Sequence, residues 1–283
     1  MRSAAGVPVR SAGGLAALAL AALALAACIP PGNSTGDAGT PAPVSTVRPS
    51  VNVMRTPFAD DFARSDAGPD AAPAADASPP GDAGEGGKAV IALVQAPADD
   101  HLGPDWTATA PGIWKVEDGR LCGSGARNRG VWLNRTLPVN ARIEFDAVSY
   151  SPEGDIKTEV WGDGKSYATG TSYTNATSYL AILGGWKNTL HVLARVNEHG
   201  GDRKVLRVDP ASDDPRERPV NVGQTYRFRV ERTDGHTVRW SVDGQEYLSY
   251  DDPAPLAGAG HDHFGFNVWD ARVCFDNVKV TPL

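Results

Sequence analysis

Residues 224–250, QTYRFRVERTDGHTVRWSVDGQEYLSY, constrain the fold more than any other stretch. Three alternating runs are separated by TDGH and by Asp243-Gly244. Alternation with period two places successive side chains on opposite faces of a strand, and Asp-Gly tolerates the positive φ that tight hairpins demand. The stretch therefore predicts a three-stranded antiparallel meander.

The same pattern recurs upstream. IWKVE (113–117), Asp118-Gly119 and RLCG (120–123) predict a hairpin. In ARIEFDAVSY (141–150), Ile143, Phe145 and Ala147 alternate with Glu144, Asp146 and Val148. DIKTEVWGDG (155–164), SYLAILGGW and TLHVLARVNEHG add further strands, and no stretch shows a sustained helical period with caps. Many short strands with Gly-containing turns predict an all-β chain, a sandwich of two antiparallel sheets.

GHDHFGFNVWDARVCFDNVKV (260–280) is expected to close that sandwich. Phe264, Phe266 and Val268 alternate toward the core, which leaves His263, Gly265, Asn267 and Trp269 on the other face. The shift in parity from Val273 and Phe275 to Val278 and Val280 predicts a bulge near Asp276-Asn277. His261 and His263 have a chelating spacing, but a third ligand would have to come from His199 or His191 through tertiary folding, so no metal site is assigned.

The first half of the chain reads differently. Arg2 and Arg10 precede the apolar run LAALALAALALAA (15–27), which ends at Cys28, the pattern of a signal peptide over 1–27. LAAC (25–28) resembles the bacterial lipobox, which implies a diacylglycerol thioether on Cys28 and a membrane anchor. Ile29 rather than Asp after the cysteine points to the outer membrane, so the expected location is the bacterial cell envelope. Residues 28–88, rich in Pro, Gly, Ala, Ser, Thr and Asp, read as a disordered tether, and the folded domain is placed at 89–283. FADDFAR (58–64) interrupts the tether. Either it is a displaced first strand or AVIALVQA (89–96) takes that role.

With Cys28 acylated, Cys122 and Cys274 remain in an oxidising compartment, as a bridge or as two buried thiols. The net charge is −7 with both signs dispersed, and no Lys/Arg cluster interleaved with aromatics appears, which argues against nucleic acid.

WKVEDGRL (114–121), the Val-Asp-Gly of the meander and the ending HFGF…W…VCFDNVKV (263–280) resemble the concanavalin A-like lectin/glucanase jelly roll. Within that superfamily the resemblance is to bacterial exported domains related to laminin-G-like modules and to the 3-keto-disaccharide hydrolase domain. FADDF (58–62) and LGPDW (102–106) are similar to opening motifs that run together in those domains and lie apart here. The resemblance implies two curved sheets, adjacent first and last strands, and a carbohydrate on the concave face. The adjacency makes a Cys122–Cys274 bridge geometrically sensible.

Retaining glucanases of the superfamily carry two carboxylates on one strand, as nucleophile and acid. IEFDAVS matches in part: Glu144 and Asp146 share a face, but Val148 stands where the second Glu belongs. Glu159, Trp161 and Asp163 alternate in KTEVWGD, which would put a carboxylate and an aromatic on one groove wall. The expectation is a monomeric, lipid-anchored module that contacts a glycan through Trp161, His263, Asn267 and Trp269, with Glu159 as hydroxyl acceptor. A glycoside-cleaving enzyme or lyase using Glu144, Asp146 or Glu159 with His263, and a structural surface lipoprotein, are the alternatives. No cofactor is assigned. Calcium, frequent in laminin-G-like modules, stays open: it would need clustered Asp and carbonyl oxygens, which the loops can provide, although no ordered motif for it is visible.

Overall fold

The computed structural model describes residues 48–64 and 101–283. The expected signal peptide, Cys28, most of the tether and AVIALVQA lie outside the described residues. Among those described, no helix is long and apolar enough to cross a membrane.

Strand formation follows the turn chemistry. Asp118-Gly119 and Asp243-Gly244 each place two consecutive residues at positive φ (48° and 69°, 51° and 81°), the primed turn whose twist matches antiparallel strands. In chain order the strands are β1 (Phe58–Asp60), β2 (Trp106–Ala108), β3 (Trp114–Glu117), β4 (Arg120–Ser124) and β5 (Val131–Leu133). Then come β6 (Ala141–Ser149), β7 (Ile156–Gly162), β8 (Tyr179–Gly184), β9 (Leu190–Arg195) and β10 (Lys204–Arg207). β11 (Thr225–Arg232), β12 (Thr237–Val242), β13 (Gln245–Asp251), β14 (His263–Asn267) and β15 (Arg272–Pro282) complete the set.

All these strands pair antiparallel in two sheets that form a jelly-roll sandwich. One sheet has the order β13-β12-β11-β6-β15-β4-β3, with β1 also on β15; the other runs β10-β9-β8-β7-β14-β5-β2. Between them the inward halves of the strands interdigitate. Phe145 and Phe275 of the first sheet meet Phe266 of the second at ring-centre distances of 4.9 and 3.9 Å. Phe264, Phe266 and Val268 are fully buried, as alternation requires. The expected bulge is present: the β15–β6 register shifts between Asp276 and Lys279, with Asn277 at φ 52°.

Two features depart from the expected boundaries and faces. The island at 58–64 belongs to the sandwich as the displaced strand that was one of the two alternatives, so only the expected bound at residue 89 shifts. Phe58–Asp60 pairs with Val278–Val280, and Phe62 is buried against Trp106 at 5.6 Å. Asp60 accepts from Trp106 Nε1 and Arg64, tying the two separated motifs together. Trp161 is the second departure. Gly162 pairs with His263 but Val160 with Phe264, which leaves Trp161 as an extra residue at φ 54°. This bulge turns its indole inward. Its Nε1 donates to Pro138 O, and the Arg232 guanidinium lies 4.0 Å from the ring centre.

Cys122 and Cys274 are direct partners on β4 and β15 and form a disulfide.

Candidate functional site

The outward-facing side chains of the second sheet make the site. Lys157 and Glu159 alternate with core-facing Ile156, Thr158 and Val160 on β7, and Asn267 stands beside them on β14. All three polar side chains are buried, because the segment 163–178 folds back over the sheet. Asp163 shapes that segment, its carboxylate accepting from the backbone of Lys165 and Ser166 and from the Ser166 hydroxyl. Tyr173 then closes over Glu159.

Glu159 accepts three hydrogen bonds: from Ser178 Oγ (2.7 Å), Asn267 Nδ2 (2.7 Å) and Tyr173 OH (3.0 Å). Burial nonetheless pushes its carboxyl up to about 7, against the pull of these donors and of Lys157. It is a buried support under the covering segment, so it does not face an open groove wall. The Lys157 ammonium donates to Asn128 Oδ1 (2.6 Å) and Glu198 Oε2 (2.9 Å). Burial raises the Glu198 carboxyl, yet Lys157 and the Tyr173 backbone N–H hold it below the usual range.

Beside this buried network opens a groove of about 680 Å³. Its floor holds Asp155, Lys157 and Glu198, and the half-buried Trp186 and Trp269 line it together with Thr171, Ser172 and His199. Asp155 joins the two aromatic segments: its N–H donates to Gly184 O (3.0 Å) and its Oδ2 accepts from Trp269 N (2.5 Å). Burial pushes its carboxyl above the ordinary aspartate range.

Trp186 is carried by a left-handed turn, Gly185–Asn188, in which Trp186, Lys187 and Asn188 have φ of 51°, 59° and 62°. Such residues oppose the chirality of the chain at roughly 1–2 kcal/mol each. Asn188 holds the turn in place. Its Nδ2 donates to Val220 O (2.8 Å) and Pro152 O (3.2 Å), and its Oδ1 accepts from Val220 N (2.8 Å). Nothing periodic in GGWKN announces this turn, and Trp186, Asp155 and Lys157 were not among the expected contacts.

Of the expected set, Trp269 lines the groove, Asn267 and Glu159 lie beneath its neighbouring cover, and Trp161 is in the core. His263 stands apart. Between it and Asn267 on the same face is Gly265, where the Trp132 ring packs so closely that a Cβ would sit 2.8 Å from it. His263 Nδ1 pairs instead with Asp262 at 2.7 Å, and His261 Nδ1 with Thr177 O. His191 is a core histidine: its Nδ1 accepts from Gly184 N, Nε2 donates to Arg218 O, and burial lowers it to about 4. Among the described residues no group of three His, Cys, Asp or Glu is placed to hold a metal ion.

Glu144 and Asp146 lie on the outer face of the other sheet, across the sandwich from Glu159 and His263. There they pair with Arg229 (3.1 Å) and Arg227 (3.3 Å) of β11 as an exposed cross-strand ladder. The structure thus brings neither to His263.

No family model and no curated protein matches the chain. Among solved structures it is similar to the carbohydrate-binding module CBM66 from Bacillus subtilis, at 19% identity and TM-score 0.43 over 62% of this chain and 94% of that one. It is also similar to a native glycosidic hydrolase, at 10% identity and TM-score 0.48 over 82% and 98% of the two chains. The Bacillus licheniformis β-glucanase shares 10% identity and a TM-score of 0.42 over 63% and 92%. At these identities and scores the likeness says nothing about the groove.

Proposed function

We propose that the chain is a glycan-binding module, monomeric and held at the bacterial outer membrane by a lipid on Cys28. The observation that carries the binding reading is the groove itself: a floor of hydrogen-bonding charged groups between Trp186 and Trp269. An indole presents an apolar surface to the C–H face of a pyranose, while carboxylates and amides take up hydroxyl groups. The anchor rests on the LAAC sequence at 25–28 and the apolar run before it.

A glycan array followed by calorimetry on the intact protein tests the binding. Trp186→Ala and Trp269→Ala should each weaken a bound oligosaccharide about tenfold. Trp161→Ala should instead lower folding stability by about 3–5 kcal/mol with the affinity of the folded fraction unchanged. Chelation should leave binding intact, since no metal is assigned to the site. Silence across diverse glycans would favour a structural surface lipoprotein. Labelling with a radioactive fatty acid, lost in Cys28→Ala, tests the anchor.

A second reading, a glycoside-cleaving enzyme, draws on one observation. Asp155 and Glu198 line the same groove and are pushed in opposite directions, up by burial and down by Lys157, as an acid and a base would be. Release of new reducing ends by the wild type, lost in Glu198→Gln, would favour it.

A further inference from the structure

We infer that, if the groove binds a glycan as proposed above, Asp155 forms a subsite for a protonated amine, so that the ligand is an amino sugar. Asp155 is only 8% exposed. Its Oδ2 is occupied by the Trp269 N–H, but its Oδ1 takes no hydrogen bond from any described residue and remains open to the groove. Among the described residues it makes no ion pair: the charge of the Lys157 ammonium acts on Asp155, but its hydrogen bonds go to Glu198 and Asn128.

A buried carboxylate that shares its nearby counter-charge, Lys157, with Glu198 and Glu159 is costly, and it is stabilised most by a ligand that brings both a donor and a positive charge. An ammonium supplies both; a hydroxyl supplies only the donor; the carboxylate of a uronate supplies neither. The surroundings favour the same choice. Glu153, Glu198 and Asp270 add three carboxylates to the groove, against Lys157 and Lys187, with Asp270 paired to Arg127. The flanking indoles already attract cations: Arg127 lies 4.8 Å from the Trp269 ring centre and Arg203 4.8 Å from that of Trp186. Burial pushes the Asp155 carboxyl up, and the Lys157 charge and the Trp269 N–H offset this only in part.

Calorimetry on the intact protein with four tetrasaccharides separates the outcomes: glucosamine, N-acetylglucosamine, glucose and galacturonic acid oligomers. The expected result is glucosamine binding at least about tenfold tighter than the N-acetylated form, with the difference abolished in Asp155→Asn. Equal affinity for the amino and neutral oligomers would overturn the amine subsite and leave the glycan reading standing. Tighter binding of the uronate would do the same. Binding of none of the four, with binding of some other glycan on the array, would overturn the subsite alone; silence to every glycan would overturn both. Should Asp155→Asn fail to fold, Glu153→Gln on the exposed rim replaces it. That variant should reduce the preference about twofold, and no change would count against the subsite.

Discussion

Glu159 shows how a single residue can be legible in type and illegible in role. Its alternation with Val160 places it on the outward face of β7, yet Tyr173, Ser178 and Asn267 bury it completely. Because its folded value of about 7 lies above the ordinary 4.5, the folded state binds the proton more tightly than the unfolded chain. The resulting stabilisation is complete below about 4.5 and is lost as pH rises through about 7, a change of roughly 3 kcal/mol. Denaturant titrations of wild type and Glu159→Gln at both ends of that window should show the wild type losing more stability with pH. Parallel curves would mean that Glu159 does not titrate there. Asp155 contributes in the same direction and is common to both proteins.

At the scale of elements, the left-handed turn and β1 carry the predictions. Asn188→Ala removes three hydrogen bonds from Gly185–Asn188, a loss of roughly 2–3 kcal/mol, and should weaken ligand binding as much as removing Trp186. Gly184 preceding the turn is equally constrained: at φ 71°, a Cβ there would lie 2.6 Å from Val220 Cγ2. A chain begun at residue 89 loses Phe58 and Phe62 from the core and bares one flank of β15. At about 1.5–3 kcal/mol for each phenylalanine, it should be some 3–6 kcal/mol less stable than one begun at residue 48 in a denaturant titration. The hairpins at Asp118-Gly119 and Asp243-Gly244 and the core face of Phe264, Phe266 and Val268 were legible because each rests on local alternation and turn chemistry. The face of Trp161 was not, since one bulged residue reverses every side chain beyond it. Trp186 and Asp155 were hidden for another reason: their placement depends on contacts with Val220, Gly184 and Trp269, which are distant in sequence or carry no periodic signal.

On the scale of the whole molecule, the disulfide joins β4 to β15 across 152 positions. Closing so long a loop in the unfolded chain corresponds to roughly 5 kcal/mol as an upper figure. Reduction, or Cys122→Ala with Cys274→Ala, should lower stability by up to that amount, while affinity for the ligand persists because neither cysteine lines the groove. β15 itself has a broader consequence. It separates β6 from β4 and also holds β1, so without it the first sheet falls into three unconnected parts. In the chain it follows all three of the strands it joins, β1, β4 and β6. Before β15 pairs, β6 and β4 each present a row of unpaired backbone groups, the edge at which a foreign extended chain adds itself to a sheet. Pairing of this one strand is thus the step that closes the middle of the first sheet to such neighbours.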